Sequence, residues 1–337
     1  MVKGIRGDVI GNKTSRLVAL AGALLASLWF CPGGALAQGY PEKPIKIVVA
    51  WPAGGNTDTL SRLVAQRLAE KLSQPVIVEN RPGASGAIGG EAVARAPADG
   101  YTLLVVDSST YLIQLVSSRK FAYEAVADFA LIAPFARNSF LLLGRADLPA
   151  KSARELIELA RAKPGKLTFG SWGIGSIGQI AMVMFTGNAG IEVLHVPFQG
   201  GAPAETALLG GQIDLMLLPV GRVLALKKTG KIRVFAAMSA ARSPLMDDIP
   251  TLKEEGFEAA EAGNWFGLAA PVKTPQPVVQ RLAGDIGAVV KSPAIQAAFR
   301  SQGWDAFSLP QEAFKRFVGA EVARWSEVIR RENIRVE

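Results

Sequence analysis

The stretch Trp51-Pro52-Ala53-Gly54-Gly55-Asn56-Thr57-Asp58 organises the rest of the chain. The apolar run 45–50 before it is typical of a buried strand, and apolar residues at helical spacing follow between 60 and 72. The stretch is therefore predicted to turn from a strand end into a helix start, with Asn56 or Thr57 as the N-cap. Asp58 could cap the helix or contact a ligand.

The 51–58 turn suits a small anion for a simple physical reason. The start of a helix presents backbone N–H groups without intrahelical partners and the positive end of the helix dipole. Gly54 and Gly55 would let a ligand approach the backbone closely. The same glycines could instead serve only to make a tight connection, and the turn alone does not separate these two interpretations.

The first 37 residues are predicted to be a secretory signal peptide. Four basic residues precede the apolar run 17–30, and Ala35-Leu36-Ala37 is a typical cleavage signal. The run is shorter than the ~20 residues that a membrane-spanning helix needs. Cleavage after Ala37 would also remove Cys31, the single cysteine, which excludes disulfides, thiol chemistry and cysteine metal sites in the exported chain.

Length and patterning predict two α/β units. The chain has 337 residues, and strand and helix patterns alternate over 45–116 and again over 152–238. Two apolar strands, 129–136 and 139–144, follow each other directly, which indicates a crossing into a second unit, and 265–271 is predicted to cross back. The predicted domains are the leader 1–37, lobe 1 at 38–137 plus 263–337, and lobe 2 at 138–262.

Two further glycine-rich turns repeat the first design. Gly173-Ile174-Gly175-Ser176-Ile177-Gly178 fits the dinucleotide pattern G-x-G-x-x-G, although the next strand ends at His195-Val196-Pro197 without the acidic residue that holds a ribose. A secreted dinucleotide-dependent oxidoreductase is therefore an alternative, and a second anion-binding helix start is the milder interpretation. The third turn is Pro197-Phe198-Gln199-Gly200-Gly201-Ala202-Pro203.

No set of catalytic side chains is apparent. His195 is the only histidine, lies within an apolar strand and is better explained as a core residue than as a ligand contact. Carboxylates show no metal-binding spacing, and the net charge of +8 comes without a lysine and arginine block. We therefore expect no enzyme activity, no metal, no cofactor and no nucleic-acid partner. Trp51, Trp172 and Phe198, one on each turn, could line an apolar pocket or simply pack.

With these residues established, the chain resembles the tripartite tricarboxylate transporter substrate-binding proteins, the Bug family of periplasmic receptors. The resemblance extends from Tyr40 to the C-terminus. It rests on ordered motifs: Tyr40-Pro41-x-x-Pro44-Ile45, Pro52-Ala53-Gly54-Gly55-x-x-Asp58, Gln74-Pro75-Val76, Val78-Glu79-Asn80-Arg81-Pro82-Gly83-Ala84, Asp99-Gly100-Tyr101-Thr102-Leu103-Leu104, His195-Val196-Pro197-Phe198-x-Gly200, Leu209-Gly210-Gly211-Gln212-Ile213-Asp214 and Gly230-Lys231-Ile232-Arg233.

The resemblance implies a periplasmic-binding-protein-like α/β clamp of two lobes, each a mostly parallel sheet flanked by helices. Such a monomer would close on a small organic carboxylate in the periplasm and deliver it to a pair of large and small membrane permease subunits. A receptor that feeds a signalling pathway is a further alternative. By matching motif, the ligand-binding residues are Ala53, Gly54, Gly55, Asp58, Ser108, Ser109, Ser171, Trp172, Gly175, Ser176, Gln199, Gly200 and Ala202.

Two departures from the family pattern bear on ligand identity. Gln179 stands where many members have histidine, and Leu217-Leu218-Pro219 replaces a more polar stretch. Together with Trp172 they suggest a site more apolar than that of dicarboxylate binders. The hypothesis that follows is an aromatic or apolar monocarboxylate ligand.

Overall fold

A computed structural model describes residues 39–83, 86–116, 121–198, 200–257, 261–332 and 334. The strands and helices of the described part belong to one compact unit, residues 41–337. The predicted signal peptide and Gln199 lie outside the described residues. No helix of the described part is long and apolar enough to cross a membrane.

Strands and helices alternate along most of the described chain. The strands are β1 Ile45–Val49, β2 Val76–Asn80, β3 Thr102–Asp107, β4 Phe129–Arg137, β5 Phe140–Arg145, β6 Thr168–Ser171, β7 Leu194–Pro197, β8 Leu215–Pro219, β9 Ile232–Met238, β10 Trp265–Pro271 and β11 Asp305–Ala306. The helices are α1 Asn56–Leu72, α2 Ala87–Ala94, α3 Ser108–Val116, α4 Ala153–Ala162, α5 Ile177–Ala189, α6 Gly201–Leu209, α7 Val220–Lys227, α8 Gln276–Val290, α9 Pro293–Ser301 and α10 Gln311–Arg331.

The first sheet has six strands in the order β11-β4-β10-β3-β1-β2. β1 pairs in parallel with β2 and β3, whereas β10 is antiparallel to both β3 and β4, and β11 is antiparallel to β4. Strands β1 to β4 therefore all run in one direction, and β10 lies among them as the returning strand. Both faces of the central strands are covered, so β1 and β3 are almost entirely apolar and buried.

The second sheet has five strands in the order β7-β6-β8-β5-β9. β6 is parallel to β7 and β8, and the entering strand β5 is antiparallel to β8 and β9. Four of the five strands thus run in one direction. The predicted class, two sheets of mostly co-directional strands flanked by helices, is confirmed. Each sheet also contains an opposed strand because the chain crosses from β4 directly into β5 and returns through β10.

The connections between the sheets are close-packed at glycines. A Cβ on Gly263 would lie 1.9 Å from the carbonyl oxygen of Asn138, so the two crossing segments touch backbone to backbone. A Cβ on Gly221, at the start of α7, would lie 1.9 Å from the carbonyl oxygen of Gln302, after α9. Because no larger side chain fits either contact, these glycines set how closely elements of the two sheets approach.

Helix α10 packs against elements of both sheets. Phe314 and Val318, in its first half, join a buried cluster with Val48 and Trp265. Trp325 and Val328, in its second half, belong to a cluster that includes α3, α5 and strands of the second sheet. The C-terminal helix therefore bridges the two sheets over its length.

Candidate functional site

The 51–58 turn connects β1 to α1 at the end of the first sheet where co-directional strands terminate. The N-cap of α1 is Gly55, which offers no side-chain acceptor, so the predicted cap at Asn56 or Thr57 is wrong by one or two positions. Gly54 has φ +83° and open space around the position of a Cβ. As at any helix start, the first N–H groups of α1 lack intrahelical acceptors, and Gly55 has no side-chain oxygen that could accept from them.

Asp58 orders this turn through four contacts. Its Oδ2 accepts hydrogen bonds from the Gly54 N–H at 2.9 Å and from Arg62 Nε at 3.1 Å. Its Oδ1 accepts from Asn80 Nδ2 at 2.9 Å and pairs with Arg62 Nη2 at 2.9 Å. Burial raises the pKa of this carboxyl, but the bonds from Arg62, Gly54 and Asn80 outweigh it and hold the pKa below its ordinary value. The Gly54 N–H is therefore already paired within the protein.

Trp51 joins this turn to the start of α3. Its Nε1 donates to Asp107 Oδ2 at 2.9 Å, and Asp107 Oδ1 accepts from the Thr110 N–H at 2.8 Å, which caps α3. Burial raises the pKa of Asp107 above its ordinary value although these donors oppose the shift. Ser108 and Ser109 follow directly and are buried, and the Trp265 N–H approaches Ser108 Oγ at 3.4 Å. The structure thus places both predicted serines one strand away from the 51–58 turn.

The second turn, residues 171–179, connects β6 to α5 and repeats the geometry of the first. Gly175 has φ +76°, and Ser176 is the N-cap, its Oγ accepting from the Gln179 N–H. The Ser176 hydroxyl donates to the Gly173 carbonyl, as does that of the fully buried Ser171. Gln179 Oε1 accepts from the Gly175 N–H at 2.7 Å. Ser171, Gly175 and Ser176 are therefore brought together as one hydrogen-bonded unit.

Trp172 is a packing residue of this unit. Its ring meets Phe140 edge to face with centroids 5.6 Å apart, and a Cβ on Gly178 would lie 2.6 Å from its ring atoms. Leu217 and Leu218 are also buried in the core because β8 lies inside the sheet with both faces covered. Both leucines thus contribute to the apolar core next to the second turn, and an apolar ligand site remains a prediction.

His195 lies beneath the same turn. Its Nε2 is 2.7 Å from Ser171 Oγ, and its ring stacks on Phe169 with centroids 4.7 Å apart. Desolvation lowers the pKa of this histidine to about 4, so the ring is neutral at pH 7. The predicted role as a core histidine agrees with these contacts.

The third turn, residues 197–203, connects β7 to α6. Gly200 is the N-cap, with φ +117° and open space around a Cβ, and Ala202 is exposed in the first turn of the helix. Phe198 is half-buried, with its ring 3.4 Å from the position of a Cβ on Gly170. The three aromatic side chains of the turns thus each contact another part of the protein. These contacts account for the positions of Trp51, Trp172 and Phe198 without a ligand.

A shared apolar cluster links the turns of the two sheets. Leu112 and Ile113 of α3 pack in one buried cluster with Ile177 and Ile180 of α5, and Trp172 packs against it. Helix α3 begins at Ser108, directly after Asp107, and α5 begins at the 171–179 turn. The cluster therefore joins helices that follow strand ends in both sheets. Two cavities of about 120 and 690 Å³ lie instead at the crossing segments around Asn138, away from the glycine turns.

Some functional contacts escaped the sequence analysis. Arg62, one helical turn after Asp58, holds the carboxylate, and an i, i+4 acid–arginine pair is a signal that could have been noticed. The bond between Trp51 and Asp107 spans 56 positions and had no sequence signal. The use of the Gly175 N–H by Gln179 was also missed, although glutamine at the third helical position is a known capping residue.

Two α/β sheets joined by crossing strands, with glycine turns at strand ends in both, define a two-lobed solute-binding protein. The model for the Tripartite tricarboxylate transporter family receptor matches residues 60–334, and the chain belongs to this family of solute-binding receptors. The family result does not favour the dinucleotide-dependent oxidoreductase. In the structure, the last glycine of the G-x-G-x-x-G pattern, Gly178, lies against the Trp172 ring.

Individual relatives agree with this assignment. Protein BugT of Bordetella pertussis (strain Tohama I) is 31% identical over 317 residues, which cover 94% of this chain and 97% of BugT. A solved R. palustris protein with adipate has a TM-score of 0.80 and 32% identity, covering 88% of this chain and 99% of that chain. MatC from Rhodopseudomonas palustris with bound malate has a TM-score of 0.75 and 28% identity, covering 86% and 100%.

Proposed function

We propose that this chain is a periplasmic receptor that captures a small organic carboxylate between its two lobes and delivers it to a tripartite tricarboxylate-type transporter. The observation that carries the proposal is the recurrence of one device in both sheets. Gly54, Gly175 and Gly200 each adopt a left-handed backbone conformation immediately before or at the start of a helix. Helix starts of this kind attract anions, and solved relatives of similar fold hold adipate and malate.

The remaining features of the proposal follow from the family and the sequence. The lobes are residues 38–137 plus 263–337 and residues 138–262, and the leader is cleaved after Ala37. The receptor acts as a monomer, catalyses no reaction, and passes its ligand to a large and a small permease subunit. The ligand contacts are those of the 51–58, 171–179 and 197–203 turns, with Ser108 and Ser109 beside the first.

Calorimetry with the mature chain tests this function. Residues 38–337 are titrated with adipate, malate, citrate and benzoate, and their thermal unfolding is followed with each compound. Binding of at least one carboxylate, with a matching rise in melting temperature, is expected. Strong binding of citrate or malate alone would contradict the monocarboxylate hypothesis but keep the receptor function.

The controls address the alternatives. Benzamide and adipamide, which match benzoate and adipate in size but lack a carboxylate, are expected to have no effect. Failure of every carboxylate to bind, together with nicotinamide or flavin absorbance in the purified protein, would overturn the receptor function. Sedimentation with and without ligand checks the monomer.

A further inference from the structure

We infer that Gln179 is a specificity-determining residue of the second lobe and donates a hydrogen bond from its side-chain Nε2 to the carboxylate. The inference rests on the proposed function and assigns a ligand contact to a residue outside the predicted set. It begins from one bond: the Gly175 N–H donates to Gln179 Oε1 at 2.7 Å. Because a backbone N–H can only donate, the atom that meets it must be the carboxamide oxygen.

The orientation of the carboxamide follows from that bond. Nε2 is attached to the same carbon as Oε1, so its two N–H groups lie beside the turn and point away from Gly175. No described residue accepts a hydrogen bond from Nε2, and the side chain is half-buried rather than fully covered. The carboxamide thus takes up one backbone donor of the turn and presents two side-chain donors in its place.

The two hydroxyl groups of the turn are already committed. The Ser176 hydroxyl donates to the Gly173 carbonyl at 2.6 Å and accepts from the Gln179 N–H. The Ser171 hydroxyl is fully buried and shared between Gly173 and His195. Gln179 Nε2 and the indole Nε1 of Trp172 are therefore the side-chain N–H donors of this turn without a described acceptor. Of the two, Gln179 Nε2 is held beside the first N–H groups of α5 by the bond to Gly175.

The equivalent residue of the 51–58 turn, Asp58, cannot donate a hydrogen bond to a carboxylate. Asp58 also stands four residues after a left-handed glycine and also accepts that glycine's N–H. Its carboxylate has no donor, and its two oxygens are occupied by Arg62, Asn80 and Gly54. At this position of the two turns, only Gln179 of the second lobe can therefore donate a side-chain hydrogen bond to a carboxylate.

The variant Gln179→Glu tests the donor role while keeping the shape. Glutamate retains an oxygen acceptor for the Gly175 N–H, so the turn and the melting temperature without ligand should change little. It replaces the donor with a charged acceptor, and adipate affinity measured by calorimetry at pH 7 should fall at least about tenfold, since a hydrogen bond to a charged group is lost.

The control variant is Gln296→Glu on α9. Gln296 Nε2 donates to the Lys291 carbonyl, and its side chain is far along the chain from the three turns. The Gln296→Glu variant adds the same negative charge as Gln179→Glu and should leave adipate affinity unchanged. An equal loss in both variants would overturn the inference, because the effect would then be general electrostatics.

A pH series gives a second measurement that a purely structural role would not affect. Glutamate has an ordinary pKa of ≈ 4.3, and its protonated form regains a donor. The ratio of Gln179→Glu to wild-type affinity for adipate should therefore rise as the pH falls from 7 towards 4. Unchanged affinity in Gln179→Glu at pH 7 overturns the inference, whereas a wild-type chain that binds no carboxylate overturns the proposed function itself.

Discussion

The 51–58 and 171–179 turns have the same backbone design and different chemistry. In both, a glycine in the left-handed region precedes the N-cap, and the third helical residue accepts that glycine's N–H. The first turn uses a carboxylate, Asp58, held by Arg62, and leaves the cap position to Gly55. The second uses the neutral Gln179 and a serine cap.

The two turns also differ in how exposed their residues are. In the first turn a charged network fixes the backbone, and its outer residues from Pro52 to Asn56 remain exposed. In the second, neutral hydrogen bonds and the Trp172 ring bury Gly175 to Gly178. The first turn is therefore open and has a rigid charged base, whereas the second is packed and carries a side-chain donor at Gln179.

The largest expected effect is that of Gly54→Val in the open turn. A valine would fill the space beside the exposed amides, and carboxylate affinity measured by calorimetry should fall by roughly a hundredfold or more. Gly230→Val is the matched control, because Gly230 also has a left-handed φ, +67°, and open space around a Cβ. Both variants carry the same backbone strain, about 1–2 kcal/mol. Equal affinity in the two variants would remove the 51–58 turn from the site.

Gly178→Ala tests whether the second turn is packed. The new Cβ would lie 2.6 Å from Trp172 ring atoms, so the ring must move, at a cost of about 1–3 kcal/mol in the free energy of unfolding. Urea denaturation followed by tryptophan fluorescence measures both the stability and the displaced ring. Gly284→Ala, exposed on α8 with nothing near its Cβ, should instead stabilise the chain slightly. Equal stability of the two variants would contradict a packed second turn.

Asp58→Asn tests the charged base of the first turn. Asparagine can still accept the Gly54 N–H, but its NH₂ group meets the donors of Arg62 or Asn80, and about 1–2 kcal/mol of stability should be lost. Glu70→Gln, which breaks the exposed pair with Arg67 on the same helix, should cost under about 1 kcal/mol. Urea titration at pH 7 compares the two. A loss no greater than that of Glu70→Gln would show that Asp58 does not hold the turn.

The smallest effects are in the pH dependence of stability, which should separate the two turns. The folded pKa of His195, about 4, lies below its ordinary value of 6.5, so its stabilisation is complete above pH 6.5 and is lost as the pH falls towards 4. Asp58 has a folded pKa below its ordinary value of 3.8, so its contribution is lost only at more acidic pH.

Unfolding free energies between pH 7 and 5 check the histidine contribution. Because His195 is the only histidine, stability should fall less steeply from pH 7 to 5 in His195→Gln than in the wild type, whereas Asp58→Asn should keep the wild-type slope. A slope in His195→Gln equal to that of the wild type would mean that the imidazole is not desolvated in the fold.

Much of the fold could be predicted because it depends on local patterns. The apolar runs of β1, β3 and β8 and the capping box at Ser152, whose Oγ accepts from the Glu155 N–H, are visible in a few consecutive residues. The N-cap of α1 was misplaced because Asn56 and Thr57 are good cap residues by type, yet the left-handed Gly54 lets the helix begin one residue earlier, with Gly55 as the cap.

The candidate site was predicted as a set of positions rather than as a set of contacts. The sequence indicated that Gly54, Gly175 and Gly200 make the turns, because each lies in a glycine-rich segment between a predicted strand and a predicted helix. It did not indicate that the Gly54 and Gly175 amides are paired within the protein. Nor did it show that Leu217 and Leu218 face the core, since that depends on which strands flank β8.

The sequence by itself determined the two-sheet α/β class, the three glycine turns and the receptor family, because periodicity and ordered motifs are properties of the chain alone. Only the tertiary structure decided which donors those turns still offer. Asp107 reaches Trp51 across 56 positions, and Gln179 turns back onto Gly175. Whether a donor is paired within the protein or free for a ligand depends on the distances and angles between groups in three dimensions. The residue type alone does not determine this.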